Sequence, residues 1–235
     1  MPRTAVGLVL SRLGRVFRAY GEVVRSPSYF PLWLGQLLSA FGDTLHYIAL
    51  VILVFDISGR GLAVAGLVAA EVLPVLLLGP VAGVVIDRFS RKGVLILADL
   101  FRAVLVLSLL APQGLWHAYA VAAGLAAGNV FFNPTVQAVI PVLTSEEQRL
   151  AANSVAWSTG RLVQIVAAAF GGGVIAILGT DAAFALNGTT FVLSAALITS
   201  LRIPSHVGPL GAGNSRGLQG YLGDARAGLA YALRD

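Results

Sequence analysis

The chain has 235 residues, 57% of them hydrophobic and 11% charged, with mean hydropathy +0.83 and formal net charge +5. A soluble domain is about half apolar and about a quarter charged, so this composition excludes a water-exposed globular surface and makes lipid the solvent. No cysteine is present, which excludes disulfides and thiolate metal sites, and His46, His117 and His206 are too scattered to form a ligand cluster, so no metal or cofactor is expected.

Residues 1–28 form a basic lead in which Arg3, Arg12, Arg15, Arg18 and Arg25 interrupt the apolar residues. A signal peptide needs an unbroken apolar core; a helix lying on the cytoplasmic leaflet or a loose basic tail both fit. Six apolar segments follow, at 30–55, 61–86, 93–111, 115–140, 154–178 and 182–201. Each reaches the ~20 residues that cross a ~30 Å hydrocarbon core as a helix, and none alternates as a barrel strand would. The small residues of AVAAGLAAG, 120–128, allow helices to approach closely. Basic residues are rich in every second connector: five arginines precede the first segment, Arg60 alone follows it, Arg88, Arg91 and Lys92 come next, PQGLWH has none, Arg149 follows, GTD has none, and Arg202, Arg216, Arg226 and Arg234 come last. This alternation puts both termini in the cytoplasm of a plasma-membrane protein. The division expected is a lead at 1–28, a transmembrane bundle at 29–201, and a linker opening an amphipathic helix at 202–235.

The stretch GPVAGVVIDRFSRK, 79–92, concentrates charge between two apolar runs. A topology signal needs only Arg and Lys; it does not need Asp87. Gly79 and Gly83 lie four apart on one helix face, where close contact with a neighbouring helix is expected. The order Gly83, Asp87, Arg88, Arg91, Lys92 resembles the signature loop of the major facilitator superfamily, which joins the second and third helices. NVFFNPTVQAVIPVLTSEEQRLAANS, 129–154, and SPSYFPLWLGQLLSAFGDTLHYIAL, 26–50, resemble the drug-efflux and siderophore-export branch, the macrolide-efflux and enterobactin-exporter-like permeases. The fifth segment, GRLVQIVAAAFGGGVIA, lacks the proline common there in exporters.

The resemblance implies an all-α fold of six transmembrane helices in two inverted three-helix repeats, half of a twelve-helix architecture. It implies secondary active export of a drug-like or siderophore-like amphipathic molecule by proton antiport and alternating access, with the charged loop as a gate. The partners implied are the small-molecule substrate, a proton, the bilayer, and a second six-helix half or a second copy. The alternative expectation is a truncated half without transport of its own.

Ionisable residues inside apolar spans are rarely idle. Asp43, in the first span, is read either as a cavity residue that meets a proton or a cationic substrate, or as a structural hydrogen-bonding group. Glu71, in the second, is read either as a proton-coupling carboxyl or as a residue near the outer mouth. Asp99 and Arg102, three apart in the third, are expected to partner the signature loop, Asp99 foremost. Arg161, one turn from Gln164, is read either as a cavity residue that needs a carboxylate or a wet cavity, with Asp43 a candidate partner, or, if the fifth helix starts later, as a residue that snorkels to the cytoplasmic headgroups. Asn133-Pro134 frees a backbone carbonyl in the fourth helix and is read either as a kink filled by packing, the favoured reading, or as a substrate contact. No nucleophile-and-base pair or phosphate-cradling loop points to an enzyme, and the basic residues form no stripe for nucleic acid.

Overall fold

The computed structural model describes residues 18–203. The first part of the basic lead and the segment 204–235, which holds nearly all of the expected linker and amphipathic helix, lie outside the described residues. The described part is helical throughout: α1 (Phe30–Ser58), α2 (Gly61–Arg88), α3 (Arg91–Ser108), α4 (Leu115–Leu143) and α5 (Glu146–Ser200). A short helical stretch at 18–24 precedes α1 and places Val23 in the core.

Local chemistry sets the ends of these elements. Pro31 stands in the first turn of α1, where a missing N–H is harmless, and Gly59 closes the helix with φ 63°, its N–H donating to the Phe55 carbonyl. At the start of α5 the Gln148 side chain accepts from the Ser145 backbone N–H at 3.4 Å. As one rod, 55 residues would run about 82 Å. Gly179 breaks it, with φ 81° and ψ 169°, into helical segments 146–178 and 180–200. Backbone of that kind is nearly restricted to glycine. The break falls at the expected GTD connector, but the first segment starts eight residues ahead of the expected 154, because 146–153 is a polar helical lead-in rather than a loop.

By length and composition α1, Gly61–Gly83 of α2, α4 and α5 can each cross a membrane. The 18 residues of α3 include Arg91, Lys92, Asp99 and Arg102, so this helix is set apart by its charge. The outer surface is apolar. Leu76, Leu97, Val104, Phe170 and Ile177 are all exposed, the inverse of a water-soluble bundle.

α1 packs chiefly on α5 and α2 on α4, while α3 lies against both α4 and α5. Two apolar clusters form the core. One gathers Tyr29, Leu32, Leu95, Phe132, Val139, Ala152 and Ile198; the other gathers Leu45, Leu50, Val106, Leu109, Val121, Phe184 and Phe191. Between them comes a polar layer: Ser39 on α1, Asp99 and Arg102 on α3, the half-buried Asn129 on α4 and Ser194 on α5, with Asn187 and Thr190 extending it along α5 among residues of the second cluster. Glycine lets the backbones close around that layer. A Cβ on Gly42 would stand 2.5 Å from both Asn187 Oδ1 and Thr190 Oγ1, and one on Gly128 would stand 2.7 Å from Arg102 Cγ. Gly79 and Gly83 differ from expectation: an added Cβ at either meets nothing within 4 Å, because this face of α2 opens onto a cavity instead of a neighbouring helix.

Candidate functional site

Arg102 is the centre of the polar layer. Although 98% buried, it has every nitrogen engaged. Nε donates to the Ala98 carbonyl at 3.3 Å, Nη1 to Asn129 Oδ1 at 2.6 Å, and Nη2 to Asp99 Oδ1. The guanidinium carbon lies 4.2 Å from the centre of the Phe132 ring and 4.4 Å from that of Phe191. A planar, weakly hydrated cation with a carboxylate, an amide and two aromatic faces is the arrangement in which arginine is tolerated away from water. Asp99 therefore faces inward to Arg102 and not to the signature loop as expected. The spacing of three on α3 satisfies the pair within the helix itself.

Asp43 is half-buried one layer away. Its Oδ1 accepts from Asn187 Nδ2 at 3.3 Å, which ties α1 to the second segment of α5. Arg161, the partner expected for it, is instead exposed; its Nη1 donates to Gln164 Oε1 at 3.0 Å and its guanidinium lies 5.9 Å from the Trp157 ring centre. The reason is position: Arg161 sits on the open side of α5, away from the α1 contact.

Two cavities meet at Asp43. The larger, about 750 Å³, runs between α1, α2 and α4, with Asp43, His46, Glu71, Asn129 and Asn133 on its wall beside Val72, Val75 and Leu76. The smaller, about 470 Å³, runs between α1, α4 and α5, with Gln36, Ser39, Asp43, Arg102, Gln137 and Gln164 among its lining residues. Asp43, Asn129, Asn133 and Pro134 border both. The arrangement is an open, largely apolar cleft with polar groups gathered where the two cavities meet, and its volume suits a drug-sized molecule.

The sequence profile described as Major Facilitator Superfamily matches residues 32–229. The chain belongs to that superfamily. It is 31% identical over 168 residues to the uncharacterized MFS-type transporter YfiS of Bacillus subtilis, covering 71% of this chain and 40% of that protein. It is 34% identical over 188 residues to the uncharacterized MFS-type transporter Rv0037c of Mycobacterium tuberculosis, covering 72% and 41%. With macrolide efflux protein A of Streptococcus pyogenes it shares 25% over 181 residues, covering 75% and 45%. The chain thus spans less than half the length of these curated relatives. Its kin are multi-pass membrane transporters rather than enzymes.

In this member of the major facilitator superfamily the signature residues sit on helix ends. Arg88 is in the last turn of α2, Phe89 and Ser90 form the whole connector, and Arg91 and Lys92 open α3. Cations are favourable at a helix C-terminus and unfavourable at an N-terminus. Arg91 and Lys92 offset this by reaching other helices. Arg91 Nη1 donates to the Ala138 carbonyl at 3.0 Å, and Lys92 Nζ to the Thr199 and Leu201 carbonyls at 2.7 and 2.8 Å. The connector thereby ties α3 to the late turns of α4 and to the end of α5. The Asp87 side chain lies outside the described residues.

Of the residues expected to form the site, the structure brings Asp43, Glu71, Asn133 and Gln164 to cavity walls, and leaves Arg161 outside them. Sequence reasoning missed His46, Asn129 and Asn187. His46 is buried, its Nδ1 has no hydrogen-bond partner among the described residues, and its ring lies 5.5 Å from that of Phe184. The signal available was the spacing Asp43-x-x-His46, which puts both on one face of α1.

Proposed function

We propose that the chain is part of a secondary active exporter of amphipathic drug-like or siderophore-like molecules, driven by proton antiport through alternating access. The observation that carries the reading is the open chamber at Asp43, with polar groups set among apolar helices where α1, α2, α4 and α5 converge. A relative named for macrolide efflux supports the direction of transport.

The full architecture proposed has six crossings: α1 to α4, then the two segments of α5 parted at Gly179. They form two three-helix repeats of inverted topology with both termini cytoplasmic. Because the relatives are more than twice as long as the region matched, a second six-helix half would close the open side of the chamber, whether continuous with this chain, separately made, or a second copy. Rocking of the halves would expose the chamber to either side in turn. The bonds of Arg91 and Lys92 to the carbonyls of α4 and α5 are the contacts that hold the cytoplasmic end in one state. Asp43 and Glu71 are the carboxyls proposed to carry the coupled proton.

The test is transport by the complete protein in inside-out vesicles, with fluorescent amphipathic drugs and ferric siderophores as cargo. Uptake is expected when the lumen is acidic and is expected to stop when nigericin collapses the pH difference. Uptake indifferent to nigericin would remove proton antiport; no uptake of any cargo above empty vesicles would remove the export reading.

A further inference from the structure

We infer that His117 is an acid-released clasp on the connector between α3 and α4: neutral, it holds the connector against the ends of both helices, and protonated, it lets the connector go.

The hydrogen bonds fix where its proton lies. The Gln113 backbone N–H donates to Nδ1 at 3.2 Å, so Nδ1 presents a lone pair and carries no hydrogen. A neutral imidazole has one N–H, which is therefore on Nε2. Nε2 stands 3.0 Å from Ser108 Oγ. The Ser108 hydroxyl donates to the Leu105 carbonyl at 2.6 Å, which leaves its lone pairs for the Nε2–H. The bonds thus run in one direction, from the Gln113 N–H through the ring and the Ser108 hydroxyl to the Leu105 carbonyl. An imidazolium ring has two donors and no acceptor. A proton on Nδ1 sets two N–H groups against each other, so the bond to Gln113 is lost while the bond to Ser108 is kept. Histidine is the side chain that ordinarily changes charge between about pH 5 and pH 8.

The chain around the ring is built to use that release. Leu109, Leu110 and Ala111 are still tied by their N–H groups to the last turn of α3. Pro112 has no N–H, so the bond from Gln113 to His117 is the next hold along the chain. Gly114 follows with φ 99°, a swivel that any other residue would resist. Beyond it α4 leads to Asn129 and Asn133 on the walls of both cavities. The other ionisable groups on neighbouring elements at this end of the bundle are Asp56 on α1, Arg60 before α2, Tyr119 on α4 and Asp181 at the start of the second segment of α5. None of them bonds to His117 among the described residues, and the Tyr119 hydroxyl donates to the Ala63 carbonyl at 2.7 Å. In the six-crossing arrangement proposed above, this connector faces outside. The clasp then reads the pH of the compartment that receives the cargo.

The experiment is solvent exchange of the Gln113 amide proton, followed by NMR on the purified protein in lipid nanodiscs at about pH 7.5 and about pH 5 and corrected for the intrinsic dependence of exchange on pH. The amide of Gly59, which donates to the Phe55 carbonyl at 2.7 Å in a connector without histidine, is the reference. Protection of Gln113 is expected to fall roughly fivefold at the lower pH while that of Gly59 holds. His117→Asn sets an amide oxygen where Nδ1 stood and takes up no proton, so it is expected to keep Gln113 protected at both pH values. His117→Ala is expected to lack that protection at both. No fall in the native protein overturns the inference, as does an equal fall in His117→Asn or protection retained in His117→Ala. If His117→Asn fails to fold or loses the bond altogether, the native ring decides: its nitrogen chemical shifts are expected to show hydrogen on Nε2 and a bare Nδ1 at the higher pH, and hydrogen on Nδ1 there overturns the inference. Nanodiscs bathe both faces in one buffer, so the outcome stands whichever way the chain crosses and whether or not it exports.

Discussion

Arg102 shows how a single residue organises the interior. Its charge is enclosed, and its partners come from two helices, Asp99 and Ala98 on α3 and Asn129 on α4. Removing one member of a buried pair strands the other, which costs about 3–5 kcal/mol, whereas replacing both with apolar groups of similar size is often neutral. Asp99→Ala is therefore expected to lower the unfolding midpoint in detergent sharply. The double replacement Asp99→Leu with Arg102→Met is expected to recover most of that loss, and a double variant as unstable as the single one would show that the pair stabilises the bundle beyond charge balance. Gly128→Leu is expected to be as damaging as Asp99→Ala, because even a Cβ there stands 2.7 Å from Arg102 Cγ. The pairing of Asp99 with Arg102 lay half-open in the sequence. Their spacing puts them on one face, but nothing in the order of residues says that Asn129, 27 positions on, completes the shell. Asp43 was legible because a carboxylate in mid-span is conspicuous. Asn187 was not, since one amide in ALNGTTFVL resembles the ordinary polar content of a membrane helix.

At the scale of the element, glycine and lysine mark the two places where a helix end does unusual work. Gly179 occupies backbone that an L-residue enters at a cost of about 1–3 kcal/mol, while Gly172 has ordinary helical backbone and open space around it. Gly179→Ala is expected to be destabilising by that amount in chemical unfolding, and Gly172→Ala to be neutral or slightly stabilising. Equal effects of the two would mean that the break is not held by Gly179. Lys92 bonds the carbonyls of Thr199 and Leu201, where the last helical segment has no N–H of its own to offer them. Lys92→Ala is expected to raise hydrogen exchange at 196–201 while leaving α4 unchanged, and exchange unaltered there would sever the link between the connector and the end of α5. Helix positions were readable as long apolar runs, and the signature loop was readable as a charge cluster between two of them. The direction of its bonds was not. A run of charges reports where water and headgroups begin, but a cation at the start of a helix finds its compensation across space, at carbonyls more than a hundred residues later.

For the whole molecule the open question is how many times the chain crosses, and α3 decides it. At 18 residues it spans about 27 Å, slightly short of a ~30 Å core, and it carries four charged residues. Two of these, Arg91 and Lys92, are at its first turn, where they reach the headgroup region, and the other two neutralise each other in the polar layer. The uncompensated charge in its middle is thus zero, and the outer face, with Leu97, Val104 and Leu107, is as apolar as that of its neighbours. That balance supports α3 as one of the six crossings proposed above, beside α1, α2, α4 and the two segments of α5. The absence of native cysteine makes the alternation directly measurable. Single cysteines at Arg60, Ser90, Gln113, Ser145 and Asp181 sample each connector in turn. A membrane-impermeant maleimide applied to intact cells is expected to label the variants at 60, 113 and 181, and to reach 90 and 145 only after permeabilisation. Labelling of 90 and 113 from the same side would show that α3 lies in the interface and would reverse every later helix. Labelling of 145 and 181 from the same side would make Gly179 a bend within one element instead of the turn between two.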